Sequence, residues 1–395
     1  MLVGAGVRDA VNEVIEVAEL LGAGVAKALL GKTTVPDDLP FVTGAIGLLG
    51  TTATDQMMRN CDTLLVVGSS FPYAEFLPPP GQALGVQIDI DARMLGVCYP
   101  MEVNLQGDAR VTLQALLPLL RRKTSRGWRR RIEGWVADWW KTVENRARMG
   151  AKPINPQRVF WELSGRLPDN CLIAADSGST TNWYASVLRV RRGMLGSLSG
   201  NMASMGPAIP YVAAAKFVYP ERPALAITGD GAMQMLGNSA LITVAKYWRQ
   251  WANPQLVVLV ANNRDLNQVT WEQRALQGDP KLAVSQDIPD FDTDKAAQFA
   301  GWDFDYDKYA QMLGLVGLRL ERPEDIGPLL DEAWRWDRPV VINAYTDPNV
   351  PPLPPHITLE QARNYIGALL REPEAAGIVA QTVKGMLGRY FQRAD

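Results

Sequence analysis

Residues 223–235 read PALAITGDGAMQM, and this stretch decides the fold of the second half of the chain. Its apolar run, Ala224 to Ile227, stops just before Gly229-Asp230-Gly231. A short apolar run bounded by glycine is typical of a buried strand. Glycine also lets the backbone approach a ligand more closely than a residue with a side chain would. The carboxylate between two glycines therefore indicates either a ligand site, such as a metal holding a phosphate, or a plain tight turn.

A second predicted strand that ends in polar residues follows the GDG turn. The run LVVLVA, Leu256 to Ala261, is followed at once by Asn262-Asn263, and the segment MQMLGNSALITVAKYW between the two strands has helical character. A strand–helix–strand unit predicts parallel strands, whose carboxyl ends meet at one edge of the sheet, where ligands of open α/β sheets bind. Carboxylate, amide and carbonyl oxygens are the ligands that Mg²⁺ prefers. Asp230 and Asn263 are thus interpreted as a Mg²⁺-diphosphate clamp, and two unrelated polar loops are the alternative.

The composition is that of an ordinary globular protein. The chain has 395 residues, is 47% hydrophobic and 21% charged, and carries a formal net charge of -2. This charge gives no general attraction to nucleic acid or to acidic membranes. No apolar run reaches the length of a membrane span. Arg8 and Asp9 follow the N-terminus too closely for a signal peptide, so we expect a cytoplasmic protein without nucleic-acid or membrane partners.

Cysteine and histidine are too scarce for several common site types. Cys61, Cys98 and Cys171 are odd in number and far apart, which argues against a disulfide framework or a zinc site. The single histidine, His356, excludes a site built on several histidines and makes a Ser-His-Asp triad improbable. The chemistry must then use other groups or a cofactor.

The pattern of strands and helices predicts an α/β protein: two open parallel-sheet α/β domains joined by a helical linker. Residues 1–120 alternate between strands, such as Thr63–Gly68 and Gly85–Ile90, and helices, such as Val11–Leu21. The second α/β layer spans residues 151–348, and residues 349–395 form a C-terminal arm. The predicted strands of the second layer are Leu172–Ala175, Ala224–Thr228, Leu256–Ala261 and Val340–Ala344.

Residues 121–150 form a basic, tryptophan-rich linker with ten Lys/Arg and three Asp/Glu. Trp128, Ile132, Trp135 and Trp139 recur at helical spacing. A nucleic-acid or membrane helix is one interpretation. We favour an amphipathic connecting helix with a solvated charged face.

Two glycine motifs give weak signals for nucleotides. Gly4-Ala5-Gly6 stands where a dinucleotide loop would, but Asp9 takes the third glycine position. Leu30-Gly31-Lys32-Thr33 is similar to part of a P-loop, but Ala26 takes the place of its first glycine. The second motif is therefore rejected as a triphosphate site.

GDG at 229–231 followed by NN at 262–263 resembles the cofactor motif of thiamine-diphosphate enzymes, most closely the acetolactate synthase and pyruvate oxidase group. Residues 1–120 resemble the central domain of that group through GKTTVPDDLPFVTGAIGLLG, CDTLLVVGSSFPYAEF and VQIDID. Residues 151–348 resemble the diphosphate-binding domain. The resemblance implies thiamine diphosphate and Mg²⁺ as cofactors.

The resemblance also implies roles for individual residues. The metal ligands would be Asp230, Asn263 and the carbonyl of Asp265. DSGSTTNW resembles the first diphosphate loop, and SGNMASMGPAIP resembles the segment that grips the aminopyrimidine, with Met205 placed under the cofactor to force it into a V shape. Trp271, in VTWEQR, is the candidate for recognising the second 2-oxo acid. The implied cofactor contacts are Gly178, Ser179, Thr180, Ala203, Met205, Gly229, Gly231 and Ala232.

The implied activity is decarboxylation of a 2-oxo acid such as pyruvate, with carboligation as in acetolactate synthase. The central domain of this group often holds FAD, and Asp89 and Asp91 lie where its adenosine part would sit. A flavin-linked pyruvate oxidase or dehydrogenase is therefore one alternative.

A non-catalytic cofactor-binding subunit is the other alternative. The resemblance begins at the central domain, so the pyrimidine-binding domain and its activating glutamate are expected to be absent. We expect a homo-oligomer, or a partner that supplies the missing domain.

Overall fold

The computed structural model describes residues 1–286, 304–352, 354–355 and 359–372. The chain divides into two compact units. The first comprises Met1–Thr142 with Arg189–Gly196, and the second comprises Val143–Leu188 and the described residues from Ser197 to position 352 and from 359 to 372. The sequence contains a tandem repeat with a period of 13 residues, FDTDKAAQFAGWD at 291–303 and FDYDKYAQMLGLV at 304–316. His356, the first copy of this repeat and most of the predicted C-terminal arm lie outside the described residues.

The first unit is built on a six-stranded sheet of described residues, in the order β3-β2-β1-β4-β5-β6. Adjacent strands pair in parallel. The strands are β1 Leu2–Val3, β2 Val25–Lys27, β3 Val42–Ala45, β4 Thr63–Val67, β5 Leu84–Asp89 and β6 Val103–Gln106. Its helices are α1 Val11–Leu21, α2 Thr52–Asn60 and α3 Ala109–Leu116. Helix α1 has the predicted bounds and ends at Gly22, whose φ of 62° lies in the left-handed region that favours glycine.

Both weak nucleotide motifs serve packing in the first unit. A Cβ on Gly4 would lie 2.3 Å from the carbonyl oxygen of Gly68, so this glycine allows two loops to touch. The Lys32 ammonium is buried and bonds Asp37 at 2.8 Å, and Lys27 bonds the other oxygen of the same carboxylate at 2.6 Å. Lys32 is therefore committed to an internal ion pair, in agreement with the rejection of the P-loop.

The basic segment forms helix α4, Gly127–Ala147. Ile132 and Trp139 are buried, as the helical spacing predicts. The rings of Trp128 and Trp135 lie 5.6 Å apart, and the exposed Arg131 guanidinium lies 5.5 Å and 5.2 Å from their centroids. Part of the positive charge therefore covers aromatic surface.

The second unit contains a six-stranded sheet of described residues, ordered β11-β12-β10-β9-β7-β8. Strand β9 pairs in parallel with β7 and β10, and β12 pairs in parallel with β10 and β11. The strands are β7 Leu172–Ala175, β8 Leu195–Leu198, β9 Ala224–Gly229, β10 Leu256–Asn262, β11 Val316–Leu320 and β12 Val340–Tyr345. The helices are α5 Pro156–Ser164, α6 Ser179–Ser186, α7 Ala208–Val218, α8 Asp230–Ala232, α9 Asn238–Tyr247, α10 Asn267–Glu272, α11 Tyr306–Met312, α12 Ile326–Ala333 and α13 Leu359–Leu369. The two open α/β domains predicted from the sequence are confirmed.

Two helical turns of the second unit are widened. Met233–Gly237 is a π-helical turn that joins α8 to α9, and Gln273–Gln277 is a second one after α10. Such turns occur often at functional sites. A search of the described residues found no helix with the length and apolarity needed to cross a membrane.

Candidate functional site

The strands β9 and β10 bring the two proposed metal ligands to one edge of the sheet. Gly229, the last residue of β9, pairs with Ala261 of β10. Asp230 lies one residue beyond this pair and Asn263 two residues beyond it, on strands that run about 4.8 Å apart. Asp230 is 4% exposed, and its Oδ1 accepts a 2.8 Å hydrogen bond from the Gly231 N–H.

The two adjacent asparagines have different environments. Asn262 is buried, and its Nδ2 donates to Oδ1 of Asn343 on β12 at 3.1 Å. Asn263 is half-buried, and its Oδ1 accepts from the Asp265 N–H at 3.0 Å. Because its side chain keeps some accessible surface, Asn263 fits the role of metal ligand better than Asn262 does.

The carboxylate of Asp265 is directed into its own loop. Its Oδ2 accepts from the Thr270 hydroxyl at 2.7 Å and from Nδ2 of Asn267 at 3.3 Å. Burial raises the pKa of this carboxyl group, and the Thr270 hydrogen bond opposes the rise. The Asp265 carbonyl oxygen accepts the Asn267 N–H at 2.7 Å. A carbonyl has two lone pairs, so this contact leaves one for a metal.

The predicted diphosphate loop is the start of α6. Gly178 precedes this helix with a φ of 120°, and a Cβ built on it would meet open space. Thr180 is buried, and its hydroxyl donates to the Asp176 carbonyl at 3.0 Å. Ser179 is half-buried at the helix start, where the helix dipole favours an anion. A Cβ on Gly229 would lie 3.9 Å from Cγ2 of Thr180, which places this loop beside the end of β9.

The half-buried Met205 lies next to the GDG turn. A Cβ on Gly231 would come within 2.8 Å of Cε of Met205 and 2.6 Å of Cδ2 of Leu266, so only glycine fits there without a shift. Ala232 is also buried in this helical turn. Ala203 has a φ of 47° in the left-handed region, a conformation that glycine adopts more readily than alanine.

Asp176 organises the site and is not among the site residues predicted from the sequence. It is 0% exposed, and its Oδ1 accepts the N–H groups of Gly206 and Ala208, each at 2.9 Å. Burial raises the pKa of the Asp176 carboxyl group, while the Thr228 hydroxyl and the two amides oppose the rise. Its position after β7, parallel to that of Asp230 after β9, is the signal that could have indicated it.

Trp271 packs in an apolar cluster of the second unit. It is 4% exposed, in an apolar cluster with Ala275, Tyr365 and Leu369. The last two belong to α13, so Trp271 helps to hold α13 on the segment that follows Asp265.

The candidate metal ligands differ from a site made mainly of acidic, histidine or cysteine side chains. A search of the described ranges found no group of three or more such side chains able to hold a metal. The candidate set consists of one carboxylate, one amide oxygen and one carbonyl oxygen, all hard donors suited to Mg²⁺ when phosphate and water complete the shell.

Comparison with protein families matches both units. Residues 1–116 match the central domain of thiamine pyrophosphate enzymes, and residues 176–344 match the C-terminal TPP-binding domain of these enzymes. The chain belongs to the thiamine pyrophosphate enzyme family. The GDG turn, Asn263, Met205 and the Gly178 loop all fall within the matched C-terminal domain.

Three curated relatives show the range of the family. A Bacillus subtilis protein, YdaP, whose name describes it as thiamine pyrophosphate-containing, is 29% identical over 371 residues, covering 94% of this chain and 60% of its own length. An acetolactate synthase of Mycobacterium bovis is 30% identical over 367 residues, covering 87% of this chain and 54% of its own. A sulfoacetaldehyde acetyltransferase of Castellaniella defragrans is 25% identical over 362 residues, covering 84% and 56%. The chain thus spans little more than half the length of these relatives.

Proposed function

We propose that the second unit binds the diphosphate of thiamine diphosphate through Mg²⁺. The observation that supports this most directly is the register of β9 and β10, in which Gly229 pairs with Ala261, so that Asp230 and Asn263 follow two neighbouring strand ends. Asp230, Asn263 and the Asp265 carbonyl would hold the metal. Gly178, Ser179 and Thr180 would contact the diphosphate.

The glycines around the metal set fit a cofactor that comes close to the backbone. A Cβ on Gly231 would collide with Leu266 and Met205, and Gly178 adopts a conformation that other residues rarely reach. Met205, beside Gly231, would support the cofactor from below. The carbonyl oxygen of Ala203 would accept a hydrogen bond from the amino group of the cofactor. In this arrangement the protein binds and orients, while the cofactor, when bound, supplies the carbanion-stabilising chemistry.

We further propose a 2-oxo acid such as pyruvate as substrate, with carboligation of the acetolactate synthase type. The names of the relatives support this choice, since acetolactate synthases recur among them. Trp271 would recognise the second 2-oxo acid. Because its side chain is 4% exposed beneath α13, this role would require α13 to move.

FAD-linked oxidation of pyruvate is the second candidate. Asp89 ends β5, is 8% exposed, and accepts the Asp91 N–H at 3.0 Å through Oδ1, so it holds an ordered carboxylate at the carboxyl edge of the first sheet. A protein purified with bound flavin that pyruvate reduces would favour this candidate over carboligation.

Turnover should also depend on a pyrimidine-binding domain, because the family's activating glutamate belongs to that domain. We propose that these 395 residues need such a domain, from the same protein or from a partner, for full turnover. Alone, they would bind the cofactor and act, at most, slowly. Rapid decarboxylation of pyruvate by this chain alone would refute this proposal. The cytoplasmic location and the homo-oligomer expected from the sequence stay predictions.

Calorimetric titration with thiamine diphosphate, with and without Mg²⁺, tests the proposed site. We expect binding that requires Mg²⁺ and that Asp230→Ala abolishes. Asp331→Ala is the matched control, since this carboxylate is 46% exposed on α12 and pairs with Arg166. Binding that is independent of Mg²⁺, or equal in the two variants, would contradict the proposal.

A further inference from the structure

The first turn of α11 contacts the residue that we propose as the main metal ligand. Tyr306 is 0% exposed, and its hydroxyl donates to the backbone carbonyl of Asp230 at 3.1 Å. The same carbonyl accepts the N–H of Met233, which begins the widened turn. Two donors therefore fix the peptide group from which the Asp230 side chain projects.

The next residue of α11 is connected to the neighbouring ligand strand. Asp307 is 6% exposed, and its Oδ1 accepts from Nδ2 of Asn343 at 3.1 Å. Oδ1 of Asn343 in turn accepts from Nδ2 of Asn262, the residue before Asn263. Consecutive residues of one helix are thus connected to the residue after β9 directly and to the end of β10 through Asn343 of β12.

We propose that Tyr306 is a positioning residue that sets the direction of the Asp230 carboxylate for a divalent cation. The proposal rests on the proposed function of this site. Tyr306 need not touch the metal or the cofactor. A buried hydroxyl bound to the ligand's own backbone restricts rotation of that peptide, and with it the position of the carboxylate oxygens.

The tyrosine is not part of the repeated pattern itself. The second repeat copy begins at Phe304 with FDYDKYAQ, and the first begins at Phe291 with FDTDKAAQ. Both copies have aspartate at the fourth position, but Thr293 stands where the second copy has Tyr306. The tyrosine whose hydroxyl contacts Asp230 is thus a difference between the two copies at the sequence level.

A matched pair of variants separates positioning from stability. Tyr309 lies three residues further along α11, and its hydroxyl donates to the carbonyl of Asn238 at 3.0 Å, in the same helical segment but after the widened turn. Tyr306→Phe and Tyr309→Phe each remove one tyrosine hydroxyl that donates to a backbone carbonyl. Only the first removes it from Asp230.

The readout is the affinity of each variant for Mg²⁺ and for Ca²⁺ at saturating thiamine diphosphate. Mg²⁺ demands nearly octahedral geometry, whereas Ca²⁺ accepts irregular oxygen shells. We expect Tyr306→Phe to weaken Mg²⁺ binding by about 10-fold, the lower end for losing an outer contact to a metal ligand, and to weaken Ca²⁺ binding less. We expect Tyr309→Phe to lower the melting temperature while both cation affinities stay unchanged.

The outcomes distinguish the two proposals. If the wild-type chain shows no cation-dependent binding of thiamine diphosphate, the proposed function is wrong, and the role of Tyr306 falls with it. If the wild type binds and both variants have the same Mg²⁺ to Ca²⁺ affinity ratio, the function stands and the positioning role is overturned. Should Tyr306→Phe not fold in buffer alone, the ratio is measured for this variant in trimethylamine N-oxide, an osmolyte that favours the folded state, with the wild type in the same solution as control, and an unchanged ratio there overturns the proposal equally.

Discussion

Replacing Asp176 should loosen the loop that carries Met205, and the size of the effect can be worked out from two hydrogen bonds. Oδ1 of Asp176 accepts the buried N–H groups of Gly206 and Ala208, both at 2.9 Å. Asp176→Ala leaves both amides without this acceptor. Asp176→Asn keeps an oxygen at the same place and removes only the charge.

The expected loss of stability is substantial for alanine and small for asparagine. Each buried amide left without a partner costs about 1–3 kcal/mol, so Asp176→Ala should lower the free energy of unfolding by about 2–6 kcal/mol. Removing a carboxylate that is itself costly to bury offsets part of this loss, which favours the lower end of the range. Asp176→Asn should change the free energy by less than about 1 kcal/mol.

The pH dependence gives an independent check. Burial raises the pKa of the Asp176 carboxyl group above its ordinary value of 3.8. A raised folded-state pKa means that the folded state holds this proton more tightly, so the associated stability is present below pH 3.8 and is lost as the pH rises through the folded pKa. Asparagine has no such titration, so Asp176→Asn should gain stability relative to wild type across that window.

Urea unfolding followed by circular dichroism measures these differences, with Asp331→Ala as the exposed control. We expect the midpoint for Asp176→Ala to fall at an unchanged denaturant slope, and its affinity for Mg²⁺-thiamine diphosphate to fall as well. The reasoning is refuted if Asp176→Ala is as stable as wild type, or if asparagine is as destabilising as alanine.

Two further predictions concern the same half of the chain. Gly231→Ala should weaken binding of thiamine diphosphate and cost about 1–3 kcal/mol of stability, because the new Cβ would lie 2.6 Å from Leu266 and 2.8 Å from Met205. Calorimetry measures the affinity and thermal melting measures the stability. Wild-type values of both for this variant would contradict the prediction. Glu372→Gln should loosen α13, because replacing the carboxylate that bonds the Arg274 guanidinium removes a charged hydrogen bond of the half-buried Glu372 and costs about 1–3 kcal/mol. Burial alone would raise the pKa of Glu372, but the Arg274 hydrogen bond holds it below its ordinary 4.5, so this pairing persists above pH 4.5 and is lost as the pH falls through the lowered folded pKa. Hydrogen exchange in α13 at neutral and acidic pH measures both effects, and equal protection in variant and wild type would contradict them.

Much of the architecture follows from local patterns. The runs Leu172–Ala175 and Ala224–Ile227 are continuously apolar, and such runs are buried on both faces wherever a parallel sheet is covered by helices. Helix α1 has apolar residues at helical spacing and a glycine at its end, so its bounds could be predicted to the residue. These features depend on neighbours in sequence.

The site was predictable only in part. Asp230 and Asn263 could be paired because parallel strands must end at a common edge. Asp176 was missed because its role depends on amides of a loop 30 residues away. Trp271 was assigned by its motif, whereas its packing is set by α13, nearly a hundred residues further along the chain.

The sequence by itself determined two α/β layers, the family resemblance and the residue types able to hold a metal-bound diphosphate, because periodicity and motif spacing are local properties. Only the tertiary structure decided that Asn262 is buried while Asn263 keeps accessible surface, that Met205 packs against Gly231, and that Tyr306 holds the Asp230 peptide. Hydrogen bonds between distant segments depend on how helices and loops pack on the sheet, and no local pattern encodes that packing.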